Sequence, residues 1–184
     1  KGAADLATSY VNLANPGTYN ATWSGASPSW TVGNGWQCST NNYLRTGVIP
    51  ADGDWMIIRV TNADSLVYAC GAVVAANIFG ILPSYLSNSH YLYGAAALNR
   101  VGTAATSGVL ATTKAAGYLN GSVATAIAGA LATLNYEMYL GARNTNGTAG
   151  LTGTIYIQAF AYYRPGDQPT AGDVAALTTR MQAL

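Results

Sequence analysis

The chain has 184 residues, of which 50% are hydrophobic and only 8% are charged, and its net charge is +1. About 25% of the residues of a soluble protein are usually charged. The low charge therefore excludes an intrinsically disordered chain and a protein that binds the phosphate backbone of nucleic acids through a basic surface. Few carboxylates are present for acid–base catalysis, since Glu137 is the only glutamate.

Strand patterns dominate the chain, as short β-branched and aromatic runs separated by turn residues. Asn-Gly pairs at Asn34, Asn120 and Asn146 predict type I′ hairpin turns, because both central residues of that turn have positive φ. The regular spacing indicates an all-β antiparallel sandwich. The predicted strands are 55–60, 66–74, 78–82, 91–93, 109–113, 117–119, 137–141 and 154–163.

The uncharged stretch 66–86 has about the length of a membrane span. It contains Gly71, Gly80 and Pro83, however, and residues 75–77 have the composition of a turn. We therefore predict two buried strands and no membrane span.

The chain ends in a predicted helix over about 170–184. Thr170 and Asp173 have capping-box spacing, and Val174, Leu177, Met181 and Leu184 recur at helical intervals. A second alanine-rich stretch, 122–134, contains a glycine and β-branched residues, so we predict a loop and a short strand there.

Two cysteines, Cys38 and Cys70, are too few for a four-ligand zinc site. They form a disulfide only if the fold brings their Cα atoms within about 7 Å. We predict buried free thiols.

Several motifs occur in an order that resembles laminin-G-like, concanavalin A-like lectin–glucanase domains. They are a strand with an Asn-Gly turn at 117–121, a Leu-Gly strand end at 139–144, a long strand motif at 151–163 and the closing helix. The resemblance implies one jelly-roll domain over 1–184. The opening Asn12-Leu13-Ala14-Asn15-Pro16-Gly17 and the low charge resemble virion modules of tailed phages, such as tail fibres and capsid decorations.

Glycanases of this fold carry two glutamates and an aspartate on alternate residues of one strand, which places the carboxyls together. Glu137 has no acidic neighbour on its predicted strand. We therefore predict that the chain is not an enzyme. The alternatives are a polysaccharide-degrading enzyme or a lyase that uses His90, Tyr91, Tyr93 and Arg100.

Sugar binding needs aromatic faces and side chains that hydrogen-bond to hydroxyls. Trp36 and Trp55 flank strands and are predicted core residues, whereas other aromatic and polar residues lie in or beside loops. The candidate ligand-binding residues are Trp23, Trp30, Tyr91, Tyr93, Arg143, Asn144 and Asn146.

We predict no cofactor. The alternative is a calcium ion held by Asp52, Asp54 and Asp64, because family members that bind calcium use rim carboxylates.

A chain with so few charged residues has large neutral surfaces, which usually mark subunit contacts. The first function hypothesis is therefore a homo-oligomeric structural module of a virion or extracellular assembly, in contact with copies of itself and other assembly proteins. The second is an adhesion module that binds cell-surface glycans.

Overall fold

The computed structural model describes residues 5–10, 17–26, 29–94, 99–100, 103–150, 152–164 and 168–184, and it describes the side chains of all of these except 99 and 100. The predicted opening motif over 12–16 lies outside the described residues. The helices are α1 (Leu6–Ser9) and α2 (Ala171–Gln182). The strands are β1 (Thr22–Ser24), β2 (Ser29–Thr31), β3 (Gly35–Cys38), β4 (Tyr43–Arg45), β5 (Trp55–Thr61), β6 (Cys70–Val74), β7 (Asn77–Tyr85), β8 (Asn88–Gly94), β9 (Asn99–Arg100), β10 (Gly108–Thr112), β11 (Ala116–Leu119), β12 (Ser122–Ala126), β13 (Tyr139–Leu140), β14 (Arg143–Thr145), β15 (Thr148–Gly150) and β16 (Ile155–Tyr163).

The strands form two sheets, which confirms the predicted β-sandwich. Sheet I has the order β1-β4-β13-β6-β7-β8-β9, with β14 pairing with β6 and β15. Sheet II has the order β12-β11-β10-β5-β16-β3-β2. Among the described residues the paired strands are antiparallel, except that β14 runs parallel to β6, with Asn144 opposite Ala72.

The main core lies between the two sheets. Alternate residues of each strand point to this layer, as the period of two in a β-strand requires. In sheet II, Met56 and Ile58 of β5 face the core, and in sheet I it is lined by Phe79 and Ile81 of β7. Burying these side chains supplies the main favourable term in folding.

Helix α2 covers the outer face of sheet II. Trp55 and Ile57, which alternate with the core residues of β5, pack with Val174 and Met181 of the helix. Strand β5 is therefore buried on both faces. The predicted capping box of Thr170 and its partner at the third helical position is confirmed. The predicted apolar stripe is wrong at Leu184, which is 55% exposed because it follows the last helical turn.

The uncharged stretch forms two strands, β6 and β7, as predicted. Ala75 has a φ of 52° in the turn between them. Strand β7 continues past Pro83 to Tyr85, beyond its predicted end. Over the described residues, neither helix combines the length and the apolar character that crossing a membrane would require.

Two of the three Asn-Gly turns have the predicted geometry, with positive φ at Asn120 and Gly121 and at Asn146 and Gly147. At Asn34 the prediction is wrong, because only the following glycine has positive φ. Here the loop between β2 and β3 is longer than two residues. The strand predicted over 137–141 is also shorter than expected and is confined to β13.

Both cysteines are buried free thiols, as predicted. Burial raises the pKa of Cys38 to about 12, and it raises the pKa of Cys70 further. The Cys38 Sγ atom lies 3.8 Å from the carbonyl oxygen of Leu140, and the Cys70 Sγ atom lies 3.3 Å from the sulfur of Met56.

Candidate functional site

A pocket of about 500 Å³ opens on the outer face of sheet I. Its floor is formed by β1, β4 and β13, and its walls are the segment 135–137 and the turn between β14 and β15. We call it the sheet I pocket. Its lining residues are Ser24, Tyr43, Arg45, Gly47, Ile49, Asn135, Tyr136, Glu137, Tyr139, Asn144 and Gly147.

Strand alternation places the side chains of the floor on one face. Leu44 and Leu140 are buried in the core between the sheets. Their neighbours Tyr43, Arg45 and Tyr139 therefore point to the opposite side. Arg45 is the register partner of Tyr139 across the β4–β13 pair, which brings the guanidinium and the phenol together.

An ion pair joins Arg45 to Glu137 at the pocket wall. The Arg45 Nε atom donates to Glu137 Oε1 at 2.7 Å, and its second contact to the same oxygen comes from Nη2. The backbone N–H of Gly47 donates to Glu137 Oε2 at 2.7 Å. This carboxylate raises the pKa of Arg45 above its usual value. The Arg45 side chain is 53% exposed, whereas that of Glu137 is 14% exposed.

Three tyrosine rings line the pocket. The rings of Tyr43 and Tyr139 stack with centroids 4.6 Å apart. Tyr139 is almost fully buried, and burial raises the pKa of its phenol. Tyr136 is 36% exposed and packs over Gly147, where an added Cβ would lie 3.6 Å from the ring. The rings most accessible to a ligand are therefore Tyr136 and Tyr43.

Asn144 holds the two walls of the pocket together. Its Nδ2 donates to the backbone carbonyl of Glu137 at 2.8 Å, and its Oδ1 accepts from the backbone N–H of Gly147 at 2.8 Å. The side chain is buried. Asn144 is thus one of the predicted ligand-binding residues that reach the pocket, but its hydrogen bonds position neighbouring backbone.

Tyr91 and Tyr93, which were predicted to contact a ligand, are core residues and do not line the sheet I pocket. Both are buried between the sheets. Gly117 makes room for Tyr91, because a Cβ there would lie 2.3 Å from the ring. The Tyr93 hydroxyl accepts from the backbone N–H of Gly53 at 2.6 Å. The pattern of β8 left open which face of the strand was covered, and the second sheet covers the face of the tyrosines. The lyase constellation is not assembled on one face, because His90 points to the other side of β8, where it is buried against the ring of Tyr85. The side chain of Arg100 lies outside the described residues.

The predicted tryptophan site is not assembled. Trp23 packs against the core, and its Nε1 donates to the carbonyl of Ala26. Trp30 lies on β2 in sheet II, opposite Trp36. Neither Trp23 nor Trp30 lines the sheet I pocket. Both were predicted to lie in or beside a loop, and both are half-buried on short strands. Trp55 is a core residue as predicted, whereas Trp36 is only half-buried.

Arg143 and Asn146, two further predicted ligand-binding residues, lie in different surroundings. The Arg143 guanidinium lies 5.5 Å from the ring centroid of Tyr68, and its Nε donates to Thr145 Oγ1 at 2.9 Å. Asn146 is exposed at the turn between β14 and β15. Neither residue lines the sheet I pocket, although each is adjacent in sequence to a residue that does, Asn144 for Arg143 and Gly147 for Asn146.

The three aspartates proposed for calcium have separate partners. Asp52 pairs with Lys114 at 2.5 Å, and this hydrogen bond holds its pKa low. Asp64 Oδ2 accepts from the backbone N–H of Thr154 at 2.8 Å. In the part of the chain that the structure describes, no three His, Cys, Asp or Glu side chains are grouped so that they could hold a metal ion. The three aspartates are therefore not assembled into the predicted site.

Asp54 is the buried member of a cluster with Ala51, Tyr162 and Arg164, which we call the Asp54 cluster. Asp54 Oδ2 accepts from the backbone N–H of Ala51 at 2.7 Å and from the Tyr162 hydroxyl. Arg164 Nη1 lies 3.4 Å from the same oxygen. The Asp54 side chain is 0% exposed, and burial raises its pKa.

Sequence reasoning missed the residues that dominate the pocket. Tyr43 and Arg45 alternate on one strand, and Glu137 and Tyr139 alternate on another segment, which signals two shared faces. What the sequence did not show is that these segments are neighbours, because Arg45 and Glu137 are 92 positions apart. Glu137 therefore looked isolated.

No protein-family model matches the chain, and no curated protein matches it. Among solved structures, the chain is similar to a mutant of Trypanosoma rangeli sialidase displaying trans-sialidase activity. The TM-score is 0.56 over 88% of this chain, at 15% sequence identity. This chain spans 30% of the length of that chain. At this identity the likeness shows a shared fold.

This likeness contradicts the prediction that the chain is not an enzyme. The prediction depended on fold resemblance and on the scarcity of carboxylates. Because the fold is shared with a chain that has trans-sialidase activity, these two features no longer support a non-catalytic assignment. Nothing in the likeness bears on the laminin-G-like or virion assignment.

Proposed function

We propose that the chain is a carbohydrate-binding module and that the sheet I pocket binds one or two sugar units. The observation that carries the proposal is the placing of three tyrosine rings beside the Arg45–Glu137 pair in one open pocket. The volume, about 500 Å³, lies within the range of about 300–1,000 Å³ that is typical of small-molecule sites.

The chemistry of the lining matches that of a sugar. The apolar C–H face of a pyranose stacks on an aromatic ring, and Tyr43 and Tyr136 offer such rings. Hydroxyl groups both donate and accept hydrogen bonds. The carboxylate of Glu137 accepts them, and the guanidinium of Arg45 donates them.

The aromatic surface is short, which favours the end of a glycan over the middle of a long chain. Beyond Tyr139, its register partner in β6 is Gly71, which is covered by the ring of Tyr68. Tyr68 is itself buried beneath Arg143. A sugar therefore finds no further exposed ring in that direction among the described residues.

The module is proposed to act in a virion or extracellular assembly, in contact with copies of itself. The laminin-G-like and phage-virion resemblance of the sequence supports this setting, as does the scarcity of charged residues. Glycan recognition and assembly are compatible, because the pocket occupies one part of sheet I only.

Glycan cleavage is measured together with binding, because the structural neighbour is a sialidase. Glu137 is the one carboxylate in the pocket lining. Glycosidases of the common type use two carboxyls about 5–9.5 Å apart. Cleavage here would therefore have to use another acid, and product release from a bound glycan would reveal it.

The experiment is a glycan-array screen of the purified chain with and without calcium, followed by analysis of the bound glycans for cleavage. We expect specific binding that Tyr136→Ala weakens at least about tenfold, since stacking and pocket contacts are worth more than about 1.4 kcal/mol. The matched control is Tyr156→Ala, a half-buried tyrosine on β16 of sheet II. Equal losses in both variants, or no binding by the unaltered chain, would contradict the proposal.

A further inference from the structure

We infer that the sheet I pocket selects uncharged sugars and rejects acidic ones, including sialylated glycans. This inference rests on the proposed function and specifies its ligand class. Sialic acid carries a carboxylate, so the ligand class inferred for this pocket differs from the one that the name of the structural neighbour suggests.

The only cation of the pocket lining is already neutralised. Arg45 directs its Nε and Nη2 toward Glu137, so one of the two edges through which a guanidinium makes a two-point contact with a carboxylate is occupied. The lining contains one cation and one anion, in contact with each other. A ligand carboxylate therefore meets no net positive charge.

Glu137 adds a direct penalty for an anionic ligand. Its side chain is 14% exposed, so water screens its charge less than it would at an open surface. Like charges close together in such a setting repel each other more strongly than they would in bulk water. A sugar carboxylate that approached Arg45 would lie close to this carboxylate as well.

A neutral hydroxyl ligand avoids both costs. A guanidinium has five N–H donors, and two of those of Arg45 are directed to Glu137, so its remaining donors can serve a sugar oxygen. Each carboxylate oxygen has more than one acceptor position, so Glu137 can still accept from a sugar hydroxyl. The pair thus offers a donor and an acceptor side by side, which is what two adjacent hydroxyls on a ring require.

The test compares matched glycans that differ only in a terminal sialic acid, printed side by side on one array. We expect the uncapped glycans to bind and the capped ones to bind at least about tenfold more weakly. In Glu137→Gln, the freed guanidinium should bind the capped glycans at least about tenfold better than the unaltered chain does. The glutamine carbonyl can still accept from the Gly47 backbone, and the unfolding transition of this variant checks its fold.

A second variant and salt dependence complete the design. Arg45→Met should weaken the binding of uncapped glycans without any gain for capped ones. Binding of uncapped glycans by the unaltered chain should stay within about twofold between low and high salt, because no net charge is matched. Preference for the capped glycans would overturn this inference and leave carbohydrate binding intact. Binding of neither class would overturn the proposed function together with the inference.

Discussion

The sheet I pocket and the Asp54 cluster are built from the same three kinds of side chain. Each has one carboxylate, one arginine and tyrosine, with Glu137 and Arg45 in the pocket and Asp54 and Arg164 in the cluster. In the pocket, the tyrosine rings border an open volume. In the cluster, the Tyr162 hydroxyl donates to a carboxylate that has no exposed surface.

The difference lies in what covers each set. Glu137 lies on the outer face of sheet I, where no helix was found among the described residues, and a ligand can reach it. Asp54 is covered by the end of β16 and by the side chain of Arg164, whose Nη1 also donates to the carbonyl of Ile49 at 3.2 Å. The same kinds of side chain are therefore available to bind a ligand in the open sheet I pocket, and they stabilise the fold in the covered Asp54 cluster.

The largest expected effect is on stability, in Asp54→Ala. This change removes the acceptor of the Ala51 amide and the Tyr162 hydroxyl, so we expect the free energy of unfolding to fall by about 3 kcal/mol. Urea denaturation followed by tryptophan fluorescence measures this change. Glu137→Gln is the matched control and should lower the free energy by less than about 1 kcal/mol, because the Arg45 side chain is 53% exposed and the glutamine carbonyl can still accept from the Gly47 amide.

A chemical readout gives an independent check of the same comparison. Cys38 and Cys70 are buried, so a thiol reagent should react with them only when the protein opens. A loss of about 3 kcal/mol should accelerate labelling about 100-fold in Asp54→Ala, with little change in Glu137→Gln. Similar labelling rates in the two variants would show that the Asp54 cluster stabilises the protein no more than the sheet I pocket does.

A smaller effect is expected for the tyrosine hydroxyls. Tyr162→Phe leaves the ring in place and removes the donor to Asp54, so it should cost about 1–2 kcal/mol of unfolding free energy. Tyr136→Phe changes an exposed ring of the pocket and should alter stability by less than about 0.5 kcal/mol. Thermal unfolding of the two variants measures both values. The reverse order would show that the cluster contributes less than the pocket.

The smallest effect is a pH dependence. Burial raises the native pKa of Asp54 above the ordinary value of 3.8, so above pH 3.8 the folded protein binds more protons at this site than the unfolded chain does. The free energy of unfolding contributed by Asp54 therefore falls as the pH rises through its native pKa. Asp52 acts in the opposite direction and at lower pH, because Lys114 lowers its pKa.

Asp54→Asn should abolish this fall with rising pH, because the amide does not titrate. Unfolding free energies of the variant and of the unaltered chain, measured at intervals from about pH 3 to pH 7, give the two slopes. The slope that remains in the variant belongs to Asp52 and other groups. If the two profiles ran parallel, Asp54 would not titrate with a raised pKa.

The parts of the fold that local chemistry determines were predictable from the sequence. The turns at Asn120 and Asn146 and the capping box at Thr170 each depend on residues within four positions of one another. The β-branched and aromatic runs of β5 and β16 indicated strands for the same reason. The two-face burial of β5 also follows from its pattern once the amphipathic helix is placed.

The site was not predictable, because it depends on which strands are neighbours and which face of each is covered. Tyr91 and Tyr93 had the right chemistry for a sugar, but the second sheet covers their side of β8. Arg45 and Glu137 meet only because β4 pairs with β13. The parallel pairing of β14 with β6, which brings Asn144 to the pocket wall, has no signal in the strand itself.

The anchoring of the β14–β15 turn by Asn144 has a consequence for how binding properties can diversify. Its Nδ2 fixes β14 to the segment 135–137, so the exposed side chain at Asn146 can be exchanged for others that accept a positive φ while the core stays as it is. One scaffold could thereby acquire different ligand preferences through exchange of a single exposed side chain. A library randomised at this tip would explore specificity at little cost in folding.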